Sequence, residues 1–143
     1  MKVTIFPHNL HTITIARCDV VSIEWRAGPL KPDVLKTFPN ATMLDCTRNR
    51  LTSLTGLEAC SNLRVLNCSN NRLKSLAGIE FCPELGSLIC HTNHLTTLRE
   101  LVSCPKLLTL YCSMNQLTNL AGIEYCPHHG ALSVLRDSYI RAT

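Results

Sequence analysis

A column of leucines with a 22-residue period limits the fold more than any other feature of the sequence. The column consists of Leu44, Leu66, Leu88, Leu110 and Leu132. A cysteine follows two positions after each of the first four leucines, and an asparagine follows five positions after each of them. Columns that repeat at one period of 20–50 residues are typical of proteins built from stacked units. The sequence therefore predicts one structural unit for every period of the leucine column.

Each unit combines a short strand with a return segment of a different period. Residues 65–69 alternate, with Leu66 and Cys68 as the apolar positions, which is the pattern of a half-buried strand. Further along, apolar residues recur every three positions, as at Leu73, Leu76 and Ile79, which is the spacing of a 3₁₀ helix. One unit cannot bury its own apolar edge, so we expect the units to stack with their strands in a parallel sheet, about 4.8 Å apart.

Several short motifs resemble those of leucine-rich-repeat proteins. They are Asn67-Cys68-Ser69-Asn70-Asn71, Gly78-Ile79-Glu80 and Gly122-Ile123-Glu124. With the 22-residue length, they resemble the class found in a protein-phosphatase-1 regulatory subunit and in bacterial internalins. The resemblance covers residues 10–134, and Glu100 departs from it by standing where other repeats have glycine. It implies an α/β repeat solenoid, a right-handed superhelix with a concave parallel β-sheet of about six strands and 3₁₀ or irregular convex segments. It also implies a role in binding proteins.

The N-terminal part of the chain, at positions 1–40, fits the pattern less well. Residues 10–23 match a degenerate repeat in which residues 12–16 form the strand, Cys18 takes the asparagine position and Ile23 lies on the return segment. The interval from this repeat to the one that contains Leu44 is longer than a regular repeat. The extra residues are assigned to a loop at residues 25–33, which are rich in glycine and proline. The expected organisation is a single domain over residues 1–143. It has an N-terminal cap at 1–40, four regular repeats at 41–128 and a C-terminal cap at 129–143.

The asparagine column is expected to be structural. A solenoid turn leaves backbone donors and acceptors facing inward, and an asparagine side chain offers two donors and an acceptor that bridge neighbouring units. The members of this predicted structural ladder are Asn49, Asn71, Asn93 and Asn115.

Cysteine is abundant, with nine residues, of which eight stand at apolar positions of the repeat. Reduced, buried thiols in a reducing compartment are the favoured interpretation, and a disulfide framework is the alternative. A metal site or a cysteine nucleophile is also conceivable at residues 90–94 and 126–129, where cysteine and histidine occur together. Neither stretch has the paired spacing of a zinc site, and no catalytic motif occurs elsewhere. We therefore expect no enzymatic activity, no cofactor and no bound metal.

The strand residues between the core positions are expected to form the concave surface. Toward the C-terminal half they include apolar residues, whereas the N-terminal half is basic through Arg17, Arg48, Arg50 and Arg72. Exposed apolar residues beside charge are typical of protein interfaces, although short repeats also vary freely at such positions. The residues predicted to contact a partner are Asp45, Arg48, Asn67, Ile89, His91, Tyr111, Met114 and Leu135.

These features favour a non-enzymatic protein-interaction module or adaptor. The alternative is a structural component of a larger assembly, such as a virus particle or shell. The expected partner is a protein, with no small-molecule substrate and no membrane, and a formal net charge of +4 is too small to indicate nucleic acid. The N-terminus lacks an apolar run long enough for a signal peptide, so an intracellular, cytoplasmic location is expected.

Overall fold

Seven parallel strands of the described chain form one open sheet in which every strand lies beside its neighbours in chain order. The computed structural model describes residues 1–6, 22–126 and 132–133. The strands are β1 (Lys2–Ile5), β2 (Ser22–Trp25), β3 (Met43–Asp45), β4 (Val65–Asn67), β5 (Ser87–Ile89), β6 (Thr109–Tyr111) and β7 (Leu132–Ser133). The predicted repeat solenoid with a parallel sheet is confirmed, with one described strand more than the expected number of about six.

Short helices form the side of each unit opposite the strands. In the second unit, which begins with β2, this helix is α1 (Pro32–Leu35), a four-residue α-helix. In the units of β3 to β6 it is a 3₁₀ helix. The 3₁₀ helices span Leu57–Ala59, Ile79–Phe81, Arg99–Ser103 and Ile123–Tyr125. They confirm the three-residue spacing read from the return segments. Within the described parts of the chain, no helix has the length and apolarity that a membrane crossing requires.

The core is a continuous stack of aliphatic side chains between the sheet and these helices. Leu44, Leu66, Leu88 and Leu110 are fully buried at the centre of successive strands. They pair with one another in register, so each leucine lies on its equivalent in the next unit. The buried residues form one cluster from Ile5 to Cys126, which explains how units with three-residue strands hold together.

The N-terminal units differ from the sequence-based expectation. Ile23 does not lie on a return segment, because it pairs with Leu44 as the central residue of β2. Trp25 is not part of a loop, since it is fully buried at the end of β2 and its indole N–H donates to the carbonyl of Gly28 at 2.8 Å. The expected strand at residues 12–16, and Cys18, lie outside the described residues.

The reason for this difference is the spacing of the first units. Lys2 pairs with Ser22 at a sequence shift of 20, and Ser22 pairs with Met43 at a shift of 21. The later strands pair at the full period of the repeat, as Met43 does with Val65. A search at a strict 22-residue period therefore passes over β1 and β2. The signal that finds β2 is the alternation of Ile23 and Trp25, which matches that of Leu44 and Cys46 at a shift of 21.

Candidate functional site on the exposed face of the sheet

The asparagine column fixes the turn that follows each strand. The side-chain carbonyl of Asn71 accepts hydrogen bonds from the backbone N–H groups of Asn49 at 3.0 Å and Leu51 at 2.8 Å. Its amide donates to the carbonyls of Cys46 at 3.0 Å and Cys68 at 2.9 Å. One buried side chain thus joins the backbone of two consecutive units, which holds the strands above it in a constant position.

The same pattern is repeated along the chain. Asn93 accepts from Leu73 N–H at 3.0 Å, and Asn115 accepts from Leu95 N–H at 3.0 Å. At the N-terminal end Asn49 accepts from the N–H of Gly28 at 3.2 Å and donates to the carbonyl of Trp25 at 2.7 Å. Gly28 therefore occupies the asparagine position of the second unit, in the region that sequence reasoning assigned to a loop.

The side chains that point away from the core form a surface that we call the sheet face. Asp45 and Asn67 occupy equivalent positions on it and are half-buried. Both also cap the local turn, because Asp45 accepts from Thr47 N–H at 3.0 Å and Asn67 accepts from Ser69 N–H at 3.2 Å. Much of their hydrogen-bonding capacity is therefore used within the chain.

One residue expected to point outward does not. Ser69 is only 2% exposed, and its hydroxyl donates to the Asn67 side chain at 2.7 Å. The turn after the strand draws this short side chain beneath its neighbours, so Ser69 contributes little to the sheet face.

At the N-terminal end of the sheet face, acidic and basic side chains neutralise one another. Glu24 is paired with Lys2 and lies 4.0 Å from Arg26. The hydrogen bonds from Lys2 and from Thr4 hold the pKa of Glu24 below its ordinary value. Arg26 also approaches Asp45 at 3.6 Å and donates to the carbonyl of Thr47 at 2.9 Å. Sequence reasoning missed Arg26 and Glu24, because β2 had not been recognised.

The next units carry cations that have no such partners. We call Arg48, Arg50, Arg72 and Lys74 the basic strip. All four are exposed, and none lies within 4.0 Å of a carboxylate among the described residues. Their backbones are adjacent, since Arg72 N–H donates to the carbonyl of Leu51 at 2.8 Å. Arg48 also lines a shallow depression of about 420 Å³ with Arg26, Asp45, Thr47 and Asn67.

Apolar side chains occupy the C-terminal part of the described sheet face. Ile89 and Tyr111 are register partners on β5 and β6. Tyr111 is 42% exposed and Met114 is 65% exposed, whereas Ile89 is half-buried. His91 lies beside them, with Nδ1 at 3.1 Å from the hydroxyl of Thr92, and that hydroxyl is 3.7 Å from the Met114 sulfur.

Seven of the eight residues predicted to contact a partner thus lie on one continuous surface, and Leu135 lies outside the described residues. The structure divides these seven into three kinds. Asp45 and Asn67 cap turns, and Asp45 also pairs with Arg26. Ile89 and His91 are half-buried, whereas Arg48, Tyr111 and Met114 are exposed. That these residues contact a partner remains a prediction.

The backbone at one position of each turn is left-handed. Arg48, Asn70, Thr92 and Met114 are equivalent residues, with φ of 60°, 54°, 55° and 56°. Among these four residue types only asparagine adopts this conformation readily, so three of the four turns hold a disfavoured residue. Arg50 is also left-handed, with φ of 59°, whereas its equivalents Arg72, His94 and Gln116 have no positive φ.

All eight described cysteines are free thiols and buried. Burial raises the pKa of Cys60 and Cys82 to about 12 and that of Cys104 to about 11. Such thiols are poor nucleophiles, because the thiolate is the reactive form. Among the residues that the structure describes, no three histidine, cysteine or acidic side chains are grouped so that they could hold a metal ion.

A second exposed surface lies on the side of the helices, which we call the return face. Phe81, Val102 and Tyr125 lie on three successive 3₁₀ helices and are each about half exposed. The other 3₁₀ helices have a glutamate at the position of Val102. One of these glutamates, Glu58, accepts a hydrogen bond from the N–H of Gly56 at 2.8 Å.

The unit that contains Val102 also has a different helix start. Its Arg99–Ser103 helix lacks the left-handed glycine found before the other 3₁₀ helices, because Glu100 occupies that position. One carboxylate oxygen of Glu100 is buried with no hydrogen-bond partner in the described part of the chain. In the other units with a 3₁₀ helix, a glycine precedes the helix and a glutamate two positions later accepts from its N–H. In this unit both are replaced, the glycine by Glu100 and the glutamate by Val102.

Comparison with known proteins agrees with this geometry. Residues 39–81 and 61–103 each match the family model for leucine-rich repeats in two copies. Residues 39–103 are leucine-rich repeats. No curated protein matches this leucine-rich-repeat sequence.

Solved leucine-rich-repeat structures share the fold. Internalin InlF of Listeria monocytogenes is 15% identical, with a TM-score of 0.73 over 95% of this chain and 39% of that protein. A leucine-rich-repeat protein of Leptospira interrogans is 20% identical, with a TM-score of 0.69 over 87% of this chain and 38% of that one. InlJ of L. monocytogenes, whose functional domain includes a cysteine ladder, is 23% identical, with a TM-score of 0.61 over 74% and 23%. This chain spans less than half of each, so the likeness concerns the repeat fold.

Proposed function

We propose that this leucine-rich-repeat protein is a non-enzymatic interaction module that binds a partner protein through the sheet face. The single observation that carries the proposal is the exposure of Tyr111 and Met114 on the same surface as the unpaired Arg48 and Arg72. Tyrosine, methionine and arginine are the residue types enriched at protein interfaces. A tyrosine offers a large contact area at a small entropic cost, and arginine often supplies binding energy beside it.

The rigidity of the sheet face supports this role. The asparagine side chains tie each turn to the preceding one, and Asp45 and Asn67 cap the turns between the strands and the exposed residues. A partner would therefore meet a surface that is already ordered, and less conformational entropy would be lost on binding.

Features of the described residues also favour binding over catalysis. Their cysteines are buried and have raised pKa values, which does not suit a nucleophile. The depression beside Arg48 is shallow and open, whereas small-molecule sites usually enclose most of the ligand. Leucine-rich repeats are in general binding modules, in accord with a non-enzymatic role.

The experiment uses matched pairs of surface variants. The protein is immobilised, and its bound proteins are quantified by mass spectrometry against a Tyr111→Ala and Met114→Ala double variant. A second double variant, Phe81→Ala and Tyr125→Ala, removes similar apolar area from the return face. We expect a specific partner to be lost by the first variant and retained by the second. Equal retention by both folded variants would refute binding through the sheet face.

A second candidate function is a structural role in a larger assembly, and the exposed Phe81, Val102 and Tyr125 on the return face favour it. Apolar surface of this kind would suit contact between copies of the chain or with a neighbouring component. Light scattering after size-exclusion chromatography tests this role. Oligomers that dissociate in the Phe81→Ser and Tyr125→Ser double variant would support it, and a monomer at all concentrations would argue against it.

We also propose a reducing, intracellular location. The eight cysteines of the described residues support it, since all are buried free thiols and such thiols are stable where disulfides are not formed. Quantitative thiol titration of protein purified from its native source, with and without denaturant, provides the test. Eight or more thiols that react only after denaturation are expected, whereas fewer would indicate oxidised cysteines.

A further inference from the structure

We propose that the partner segment bound by the sheet face is acidic and carries one large apolar side chain three to five positions from its acidic residues. This inference rests on the proposed function and adds the chemical class of the partner. It follows from the distribution of charge, the depression beside Arg48 and the distance between the basic strip and Tyr111.

The charge balance of the sheet face favours an acidic ligand. Glu24 and Asp45 are near Lys2 and Arg26, so these acids do not compensate the basic strip. The four cations of the strip are exposed and lie on consecutive turns. A compact group of like charges is unfavourable in the free protein, and a partner of opposite charge relieves the repulsion and speeds association.

The depression beside the strip presents donors suited to a carboxylate. Arg26, Arg48, Thr47 and Asn67 line it, together with Asp45. The Asp45 carboxylate lies 3.6 Å from Arg26, which leaves Arg48, among these described residues, as the cation without an acidic partner there. A guanidinium presents paired N–H groups that match the two oxygens of a carboxylate, so a glutamate or aspartate side chain is the natural occupant.

The position of the apolar residues sets the length of the motif. Arg72 follows β4 and Tyr111 lies in β6, which is two strands further along the sheet. Neighbouring strands are about 4.8 Å apart, so the separation across the sheet is about 10 Å from Arg72 and about 14 Å from Arg48. An extended chain covers about 3.3 Å per residue, which gives a spacing of about three to five residues.

The basic strip and the aromatic Tyr111 are separated on the sheet face, and this favours a peptide carboxylate over a nucleic-acid phosphate as the ligand. Single-stranded nucleic acid is usually held by aromatic side chains interleaved with the basic residues, so that bases stack along a charged groove. Here the basic strip itself has no aromatic member, and Tyr111 lies at the other end of the described face. Nucleic acid is therefore treated as an alternative outcome of the test.

The test is selection from a random peptide library displayed on phage, with the full chain as bait. We expect selected peptides to be enriched in aspartate and glutamate, with a large apolar residue three to five positions away. Fluorescence anisotropy with a labelled selected peptide should show that the Arg48→Glu and Arg72→Glu double variant binds at least about tenfold more weakly. Arg99→Glu, a single charge reversal on the return face, should bind as the parent does, and each of the single variants Arg48→Glu and Arg72→Glu should bind more weakly than it.

The possible results separate this inference from the function on which it rests. Neutral or basic peptides whose binding requires Tyr111 would overturn the acidic class and leave the interaction module intact. Absence of any peptide or protein whose binding is sensitive to Tyr111 and Met114 would overturn both. An oligonucleotide that displaces the selected peptides at physiological salt, with binding that weakens steeply as salt is raised, would assign the basic strip to nucleic acid instead.

Discussion

The amide of Asn71 donates a hydrogen bond of 3.0 Å to the backbone carbonyl of Cys46, which lies in the preceding unit. The same carbonyl also accepts a hydrogen bond from the side-chain amide of Asn49 at 2.8 Å, so the asparagines of two consecutive units share one backbone oxygen just after β3. The side-chain oxygen of Asn71 in turn accepts from the buried N–H of Leu51 at 2.8 Å, in the turn after β3. The cohesion of the solenoid depends on polar contacts of this kind as well as on its apolar core.

Replacement of Asn71 by leucine should lower the free energy of unfolding by at least about 1–3 kcal/mol. The substitution removes the acceptor of the backbone N–H groups of Asn49 and Leu51, whereas the carbonyl of Cys46 keeps the side-chain amide of Asn49. Urea unfolding followed by circular dichroism measures the change. Asn70→Gly is the matched control, since Asn70 is partly exposed and left-handed, and it should alter stability by about a few tenths of a kcal/mol. Equal effects of the two changes would contradict the structural role of Asn71.

Thr92→Asn should stabilise the protein by about 0.5–1 kcal/mol. Thr92 has φ of 55°, a left-handed conformation that is costly for a β-branched residue and mild for asparagine. Asn70 shows that asparagine fits the equivalent turn. The reciprocal change, Asn70→Thr, should destabilise by a similar amount in the same thermal unfolding measurement. A loss of stability in both variants would show that the local backbone strain is not the controlling factor.

Gly122→Ala should be far more damaging than Gly28→Ala, although both glycines have positive φ. A Cβ atom at Gly122 would lie 2.0 Å from the carbonyl oxygen of Leu98, whereas a Cβ at Gly28 would meet no atom within 4 Å. We expect a loss of about 3 kcal/mol or more at Gly122, from strain and backbone overlap together, and about 1 kcal/mol at Gly28 from strain alone. Comparable midpoints of chemical unfolding for the two variants would disprove the close approach of these units.

Stability should fall steeply above pH 9 in the presence of a reducing agent. The ordinary thiol pKa is 9.0, and burial raises that of Cys60 and Cys82 to about 12. Between these values the unfolded chain loses thiol protons that the folded chain keeps, so stability present below pH 9 is lost as the pH rises toward 12. Each such thiol contributes a decline of up to about 1.4 kcal/mol per pH unit.

The measurement is the free energy of unfolding in urea at a series of alkaline pH values. Cys82→Ala serves as the comparison, because it removes one titrating thiol. Its stability should be lower at neutral pH and should decline less steeply between pH 9 and 12. An unchanged slope in this variant would mean that groups other than the buried thiols govern the alkaline loss.

The regular units were predictable because the same physical requirement is met in each of them. Leu66 and Cys68 must fill the space between the sheet and the helices, and Asn71 must be placed where the turn has unpaired backbone groups. Equivalent residues recur in four units, so the roles of these positions follow from the spacing alone. The 3₁₀ spacing of Leu73, Leu76 and Ile79 also gave the return segment correctly.

The second unit was not predictable from the same pattern. Ile23 fits both a strand that alternates with Trp25 and a return segment with a three-residue period, and local sequence does not distinguish the two. Pairing with Leu44 of β3 decides in favour of the strand, because it buries Ile23 and Trp25 completely. Arg26 then lies on the sheet face beside Asp45. The sequence-based interpretation did not place it there, because it assigned residues 25–33 to a loop.

The sequence by itself determined the length of the repeat, the parallel stacking of its strands and the inward columns of leucine, cysteine and asparagine. These follow from the composition of a single unit, since each unit must bury the same apolar edge and satisfy the same turn. Only the tertiary structure decided the register of the first units, the burial of Ser69 and the contrast between the paired Arg26 and the unpaired Arg48. Exposure and ion pairing depend on which side chains neighbouring units bring together, and a shift of one residue in that stacking exchanges the buried and exposed faces of a strand.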